Sequence, residues 1–182
     1  MKLPKLLLIA GNGRNIGKST LAETIIASFS KKEEIIGLKV TTMYPEESNC
    51  HGEKENQFPN PFSIFEETDI HSPKDTARML RAGASRVFYI RCTDEHLKDA
   101  LEAFYRIIRT LSVIVCESGS LRKVAEPGVF IYIEEPKKQA DKEKHRNIKP
   151  LADRILISER LATDFRISEI HLGADGWSLR DR

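Results

Sequence analysis

The sequence contains little cysteine and few aromatic residues for a chain of its length. It has three cysteines and 7% aromatic residues among 182 positions. Cys50, Cys92 and Cys116 are too few and too scattered for a disulfide framework, and this usage is typical of a reducing compartment. We therefore expect a cytoplasmic protein.

Long apolar runs are also missing from the chain. The basic N-terminus leads into residues 6–10, LLLIA, an apolar run of only five residues, and no longer run follows. A signal-peptide core needs roughly 7–15 apolar residues and a membrane helix about 20. Export and membrane association are therefore not expected.

The charges of the chain nearly cancel. Its 29 lysines and arginines oppose 27 acidic residues, which gives a formal net charge of +2. Because nucleic-acid binders usually carry a strongly basic face, we expect no nucleic-acid partner. The length and the 40% hydrophobic content suit a single domain with a sizeable core.

Apolar stretches of strand length alternate with stretches of helical spacing. They predict strands at residues 6–10, 35–40, 87–90, 113–116 and 129–133, with two last strands at 155–157 and 170–172. Helices are predicted at residues 18–29 and 95–110, and a third from a Ser72 cap and Pro73 to Gly83. The alternation predicts an α/β fold of three layers, a mostly parallel sheet with helices on both faces.

One segment interrupts this alternation. Residues 41–72 contain Pro45, Pro59 and Pro61 and show no sustained period. Loops longer than about 12–15 residues are usually functional lids or disordered. We interpret residues 41–72 as a long loop or lid insertion within one domain that spans residues 1–182.

A glycine-rich stretch lies between the first predicted strand and the first predicted helix. Residues 11–20 read GNGRNIGKST. Glycines let backbone N–H groups turn towards phosphate oxygens, and the helix N-terminus adds a partial positive charge. Lys18 would reach the terminal phosphates and the Ser19 hydroxyl would ligate Mg²⁺, as in a P-loop. The residues expected to contact the nucleotide here are Gly13, Arg14, Asn15, Ile16, Gly17, Lys18, Ser19 and Thr20.

The spacing of these glycines differs from that of the usual P-loop. Counting back from Gly17, the first glycine is expected where Asn12 stands, whereas the glycine present is Gly11. A dinucleotide fingerprint fails as well, because Ile16 stands where it needs glycine. The longer spacing resembles that of dethiobiotin synthetase and related P-loop proteins of the SIMIBI class.

A metal beside the phosphates needs a second protein ligand. Residues 112–119, SVIVCESG, form an apolar strand that ends in Glu117. An acid at that strand end holds Mg²⁺ directly or through water in a P-loop fold. We therefore expect Ser19 and Glu117 to hold Mg²⁺, and Lys18 and Glu117 to act in hydrolysis. The alternative is a strand-end carboxylate that faces solvent.

Further segments resemble the MobB family, in the order in which the family carries them. Residues 73–84, PKDTARMLRAGA, resemble its segment of lysine–aspartate–serine, leucine–arginine and alanine–glycine–alanine. Residues 37–39 resemble the end of its second strand, and residues 116–119 with 127–130 resemble its glutamate–glycine segment and the strand that follows. The resemblance runs from residue 6 to about residue 134.

MobB proteins are P-loop GTP-binding adaptors in molybdopterin-guanine dinucleotide biosynthesis. The resemblance implies GTP as the nucleotide, a molybdenum-cofactor enzyme as partner and a homodimer. It also places Lys39 and Asp75 beside the phosphates and the metal, where the alternatives are a surface lysine and a helix-capping aspartate. Thr41 and Thr42 stand where the family has histidines, which leaves the partner open.

The choice of base is weakly encoded. The chain has no Asn-Lys-x-Asp guanine motif. Glu159 follows the strand predicted at 155–157, roughly where the family places an aspartate, and a carboxylate suits the N–H donors of guanine. The alternative is a plain acid at a helix start. Arg78, Arg81, Arg122 and Lys123 are candidates for clamping an anionic substrate, and solvated faces explain them equally well.

These observations favour a Mg²⁺-dependent, GTP-binding protein with weak hydrolysis and a MobB-like role. One alternative is an ATP-dependent ligase or small-molecule kinase similar to dethiobiotin synthetase, in which residues 41–72 form an acceptor pocket. Another is a regulatory domain that binds nucleotide without hydrolysing it.

Overall fold

The computed structural model describes residues 1–43, 61–108, 112–137 and 147–180. Its longer helices are α1 (Lys18–Phe29), α2 (Asp75–Arg81) and α3 (Leu97–Ile107), and a short α4 spans Leu161–Asp164. Its strands are β1 (Lys2–Gly11), β2 (Ile35–Thr42), β3 (Phe62–Glu66), β4 (Arg86–Cys92), β5 (Val113–Ser118), β6 (Glu126–Glu134), β7 (Arg154–Ile157), β8 (Ile170–Gly173) and β9 (Gly176–Leu179).

Seven of these strands form one sheet in the order β3-β4-β2-β5-β1-β6-β7. All neighbours in it are parallel except the antiparallel pair β3 and β4. Helices α1 and α2 pack on one face, and α3 packs on the other. The structure therefore confirms the three-layer α/β fold that the sequence predicts.

The buried side chains form two clusters, one on each face of the sheet. The α1-side core includes Leu7, Ile9, Leu21, Ile25, Met79, Val87 and Val115. The α3-side core includes Leu6, Leu8, Phe88, Leu101, Phe104, Ile114 and Cys116. Alternate residues of β1 thus enter opposite cores, which explains why residues 6–10 are apolar throughout. Each large side chain buried in this way stabilises the fold by roughly 1.5–3 kcal/mol.

Two predictions about the outer strands need correction. Residues 41–72 are not a loop throughout, because they contain strand β3, with Phe62 and Ile64 packed against the α3-side core. Residues 44–60 of that segment lie outside the described residues. The strand predicted at 170–172 does not join the main sheet, since β8 pairs only with β9, a strand that the sequence reading missed.

The hairpin of β8 and β9 is fixed to the sheet by Trp177. Its indole Nε1–H donates to the Lys5 carbonyl at 3.0 Å and to the Ile114 carbonyl at 3.2 Å, and its ring meets Phe29 edge to face at 5.0 Å. A buried indole usually needs such a partner for its N–H. Trp177 is the single tryptophan of the chain and therefore reports on the packed fold.

The helices differ in detail from their predicted bounds. Helix α1 has the predicted bounds, whereas α3 is shorter than residues 95–110, of which 109 and 110 lie outside the described residues. The predicted serine cap of α2 is wrong, because the N-cap is Lys74 and Ser72 Oγ accepts a hydrogen bond from the Lys74 N–H at 3.3 Å. Asp75 consequently becomes the first residue of α2. None of the helices in the described ranges has both the length and the apolar character of a membrane crossing.

Candidate functional site

Residues 12–17 connect the carboxyl end of β1 to the N-terminus of α1. Two residues of this loop have a left-handed backbone, Asn15 with φ of 57° and Gly17 with φ of 96°. Within the described part of the chain, the N–H groups of Gly13, Asn15, Ile16 and Gly17 donate no hydrogen bond. Unpaired backbone donors in front of a helix N-terminus form an anion-binding concavity.

The loop is attached to the end of β6 through Asn12, the residue that replaces the expected glycine. The Asn12 amide donates to the Glu135 carbonyl at 3.0 Å and accepts from the Glu135 N–H at 2.8 Å. Gly11 is the last residue of β1, and a Cβ there would overlap the Ile133 carbonyl oxygen. Gly11 therefore permits close strand approach, and Asn12 fixes the first turn of the loop.

The side chains of the loop have different surroundings. Ile16 is buried in the α1-side core and anchors the loop, while Arg14 and Asn15 are exposed. The Lys18 ammonium donates to the Gly13 carbonyl and so folds back over the loop. Of the predicted contact residues, Ile16 thus offers only its backbone.

The structure brings Ser19 and Glu117 together as expected. Ser19 Oγ donates to Glu117 Oε2 at 2.8 Å. Glu117 lies at the end of β5 and is only 7% exposed, so the alternative of a solvent-facing carboxylate is wrong. Helix α1 and strand β5 therefore bring the Ser19 hydroxyl and the Glu117 carboxylate together beside the loop.

Lys39 and Asp75 join the same site from β2 and α2. The two form an ion pair, and Lys39 is the register partner of Glu117. Burial acts to raise the pKa of the Asp75 carboxyl, but the hydrogen bond and charge of Lys39, the nearby Ser19 hydroxyl and the charge of Arg78 together lower it. Asp75 is therefore held in its ionised form. The alternative of a helix-capping aspartate is wrong, because the N-cap of α2 is Lys74.

Sequence reasoning missed the contact that joins the two helices at the site. The Arg78 guanidinium donates hydrogen bonds to both carboxylate oxygens of Glu23, at 2.7 and 2.9 Å. It also reaches Asp75 Oδ1 at 3.4 Å and Thr20 Oγ1 at 3.3 Å. The sequence holds one signal for this contact. Thr20 and Glu23 are three residues apart and so lie on one face of α1, and Asp75 and Arg78 likewise lie on one face of α2.

The other candidate anion-clamping side chains are engaged elsewhere. Arg81 donates to the carbonyls of Ile70 and Ser72, Arg122 donates to the Ala125 carbonyl, and Lys123 pairs with Asp94 at 2.7 Å. The structure therefore does not gather them around the loop.

Glu159 does not reach the Ser19–Glu117 pair. It lies on a 3₁₀ turn after β7, largely exposed, and pairs with Lys137 at 2.7 Å. The neighbouring Ser158 donates to the Glu135 carboxylate at 2.8 Å, and Leu161 lies where a Cβ on Gly17 would be. The end of β7 thus borders the loop, and the base contact of Glu159 stays a prediction.

The oxygen atoms of the site fit Mg²⁺. The described residues contain no cluster of three or more histidine, cysteine or acidic side chains that could hold a metal alone. Mg²⁺, however, is usually held by one or two carboxylates together with substrate phosphates and waters. Ser19, Glu117 and Asp75 supply hard oxygen atoms of this kind next to the loop between β1 and α1.

Compared with known protein families, with curated proteins and with solved structures, the chain matches none of them.

Proposed function

We propose that this chain binds a nucleoside triphosphate with Mg²⁺ at the loop between β1 and α1, with GTP as the nucleotide and slow hydrolysis as the activity. The observation that carries the proposal is the 2.8 Å hydrogen bond between Ser19 and the buried Glu117. It joins a hydroxyl behind a glycine-rich loop to an acid at the neighbouring strand end, which is the pair that a phosphate-bound Mg²⁺ uses.

Different residues of the site would bind the phosphates and the metal. The N–H groups of the loop and the N-terminus of α1 hold phosphate oxygens. Lys18 turns from the Gly13 carbonyl to the terminal phosphates and stabilises the charge that develops on the transferring phosphoryl group. Ser19 and Glu117, with Asp75 beside them, hold Mg²⁺, which neutralises phosphate charge when bound.

The same contacts argue for slow turnover. Glu117 accepts a hydrogen bond from Ser19, and Asp75 is neutralised by Lys39 and Arg78. Both carboxylates therefore suit metal binding better than removal of a proton from water. A partner that completes the site would accelerate hydrolysis, as arginine fingers do in other phosphoryl-transfer proteins.

The deciding experiment is equilibrium binding of GTP and ATP with Mg²⁺. Lys18→Ala is compared with wild type and with Lys98→Ala, a matched loss of an exposed lysine on α3. We expect GTP to bind at least tenfold more tightly than ATP, a difference of about 1.4 kcal/mol. Lys18→Ala should weaken the binding of both nucleotides, because they share the phosphates that Lys18 contacts, and Lys98→Ala should weaken neither. An ATP preference would favour the ligase or kinase, and binding of neither below millimolar concentration would overturn the proposal.

The MobB-like role rests on the resemblance of residues 73–84, the segment in which α2 carries Asp75 and Arg78. The same resemblance supports a homodimer that acts with a molybdenum-cofactor enzyme, and the cysteine usage supports a cytoplasmic location. Phosphate release from GTP is expected to rise at least tenfold with such an enzyme and to stay constant with small-molecule acceptors. Tight nucleotide binding with no turnover under any of these conditions would instead favour the regulatory domain.

A further inference from the structure

An ammonium group lies among the oxygen atoms that are proposed to hold Mg²⁺. Lys39 forms an ion pair with Asp75 and is also the register partner of Glu117. Register partners on neighbouring strands lie about 4.8 Å apart, and their side chains point to the same face of the sheet. Val115, two residues before Glu117, belongs to the α1-side core, so this face carries the loop and α2. The Lys39 side chain therefore leaves the sheet beside that of Glu117 and ends at Asp75.

Lys39 is the principal counter-charge of Asp75. Arg78 donates its shortest bonds to Glu23, at 2.7 and 2.9 Å, and reaches Asp75 Oδ1 only at 3.4 Å. The Lys39 ammonium, by contrast, contacts the Asp75 carboxylate directly. The side chains of Lys39 and Asp75 are 24% and 32% exposed, and Glu117 is 7% exposed. Water therefore screens these charges less than it screens those of a surface pair.

The ion pair neutralises part of the negative charge that would attract a metal. The ammonium occupies an oxygen atom of Asp75, and the Ser19 hydroxyl donates to an oxygen atom of Glu117 at 2.8 Å. A Mg²⁺ ion that approaches the same oxygen atoms has to displace the ammonium and meets its positive charge at short range. Because the screening by water is weak here, this repulsion opposes the binding of Mg²⁺ on its own.

We propose that the Lys39 ammonium excludes Mg²⁺ from Asp75 and Glu117 until the phosphates of a nucleotide bind together with the metal. The negative charges of the phosphates would offset the repulsion and draw the ammonium away from Asp75. Metal and nucleotide then bind cooperatively, and each raises the affinity for the other by the same factor. Cooperativity with the nucleotide rests on the proposed function, whereas exclusion of the metal by Lys39 does not.

The test is Mn²⁺ binding without nucleotide, followed by electron paramagnetic resonance, because Mn²⁺ shares the preference of Mg²⁺ for oxygen ligands. Lys39→Met removes the charge and keeps an unbranched side chain, and we expect it to bind Mn²⁺ at least tenfold more tightly than wild type. Lys39→Arg keeps the charge and is expected to bind Mn²⁺ as weakly as wild type. Lys123→Met is the matched control, since Lys123 is paired with Asp94 at 2.7 Å, and it should leave Mn²⁺ binding unchanged.

Two double variants locate the bound metal. Asp75→Asn and Glu117→Gln, each combined with Lys39→Met, should lose the tenfold gain, because each removes a carboxylate from the site. Trp177 fluorescence checks that every variant is folded, and Lys39→Gln replaces Lys39→Met if that variant fails the check. Equal Mn²⁺ affinity of wild type and Lys39→Met, or a gain that persists in both double variants, would overturn the inference.

Cooperativity is measured separately, as the ratio of the Mn²⁺ affinities with and without GTP. We expect a ratio of at least ten in wild type and a smaller one in Lys39→Met, since that variant already binds the metal without phosphates. Failure of wild type to bind GTP would overturn the proposed function and the cooperativity, while a tenfold gain in Lys39→Met would still support metal exclusion by Lys39. GTP binding by wild type with unchanged Mn²⁺ affinity in Lys39→Met would overturn the role of Lys39 alone.

Discussion

The loop side and the α2 side of the candidate site are held in place by different forces. The loop is fixed by neutral amide hydrogen bonds between Asn12 and Glu135 and by the buried side chain of Ile16. The α2 side is fixed by ion pairs, Lys39 with Asp75 and Arg78 with Glu23. Neutral contacts and packing respond little to salt or pH, whereas half-exposed ion pairs respond to both. The phosphate-binding part is therefore expected to be the more rigid half of the site.

The largest effect is expected where the loop leaves the sheet. Gly11→Ala places a Cβ against the Ile133 carbonyl, which backbone movement alone can relieve. We expect a loss of about 1–3 kcal/mol in the free energy of unfolding, measured by denaturation with Trp177 fluorescence. Gly173→Ala is the control, because a Cβ there meets only the His171 ring at 3.2 Å. Equal stability of the two variants would show that the loop side is less rigid than its contacts indicate.

A smaller effect is expected from the side chain that fixes the loop to β6. Asn12→Ala removes two hydrogen bonds to the Glu135 backbone and is expected to cost about 1–2 kcal/mol. The loss should be the same at low and at high salt, because both bonds are neutral. Nucleotide affinity should fall with Mg²⁺ present or absent, since the loop and not the metal is disturbed. Unfolding curves at low and high salt check the first point, and calorimetric titrations of nucleotide with and without Mg²⁺ check the second.

The sequence predicted the part of the site whose elements follow one another closely along the chain. The bounds of α1 follow from apolar residues at helical spacing after Gly17, and the carboxylate of Glu117 follows from an apolar strand that ends in an acid. Asn12 with Glu135, and Arg78 with Glu23, are 123 and 55 residues apart. Such contacts depend on strand order and helix docking, which no local pattern specifies.

The edges of the sheet were predicted less well than its centre. The central strand β1 is buried on both faces and reads as an unbroken apolar run. At the edge, β3 has five residues of mixed character next to Pro61, and Phe65 is exposed and belongs to neither core. The prediction of the β8–β9 hairpin was incomplete, because Trp177 holds the hairpin by hydrogen bonds to β1 and β5. The hydrophobic pattern of the hairpin residues does not show these contacts.

Acid is expected to weaken the α2 side selectively. The pKa of Asp75 is lowered in the fold, so its ionised form stabilises the protein above the ordinary value, and that stabilisation is lost as pH falls through the lowered folded pKa. Asp75→Asn should therefore be less stable than wild type at pH 6, and the two stabilities should converge once the pH falls below the lowered pKa of Asp75. Unfolding curves across this range test the prediction.

Glu66→Gln is the matched control for that experiment. The pKa of Glu66 is also lowered, chiefly by its hydrogen bond to Arg86, but the pair lies at the β3 edge away from the loop. The stability of Glu66→Gln should also converge with that of wild type in acid. The variant should leave the Mg²⁺ dependence of nucleotide binding unchanged. Only Asp75→Asn should weaken binding in Mg²⁺ while leaving Mg²⁺-free binding intact. If both variants change the metal dependence alike, the carboxylate cluster has no special role.

The smallest effect concerns the link between the two helices. Arg78 is about one-third exposed, so its coupling with Glu23 is expected to be only about 0.2–1 kcal/mol in a double-mutant cycle of Arg78→Gln and Glu23→Gln. At 1 M salt the coupling should nearly vanish, because the screening length falls to about 3 Å. If α2 depends on this link to hold Asp75 near Ser19, the same salt should also weaken Mg²⁺-dependent binding more than Mg²⁺-free binding. Equal weakening of the two would mean that α2 is held by its apolar contacts, such as Met79 in the α1-side core, and that both halves of the site are equally rigid.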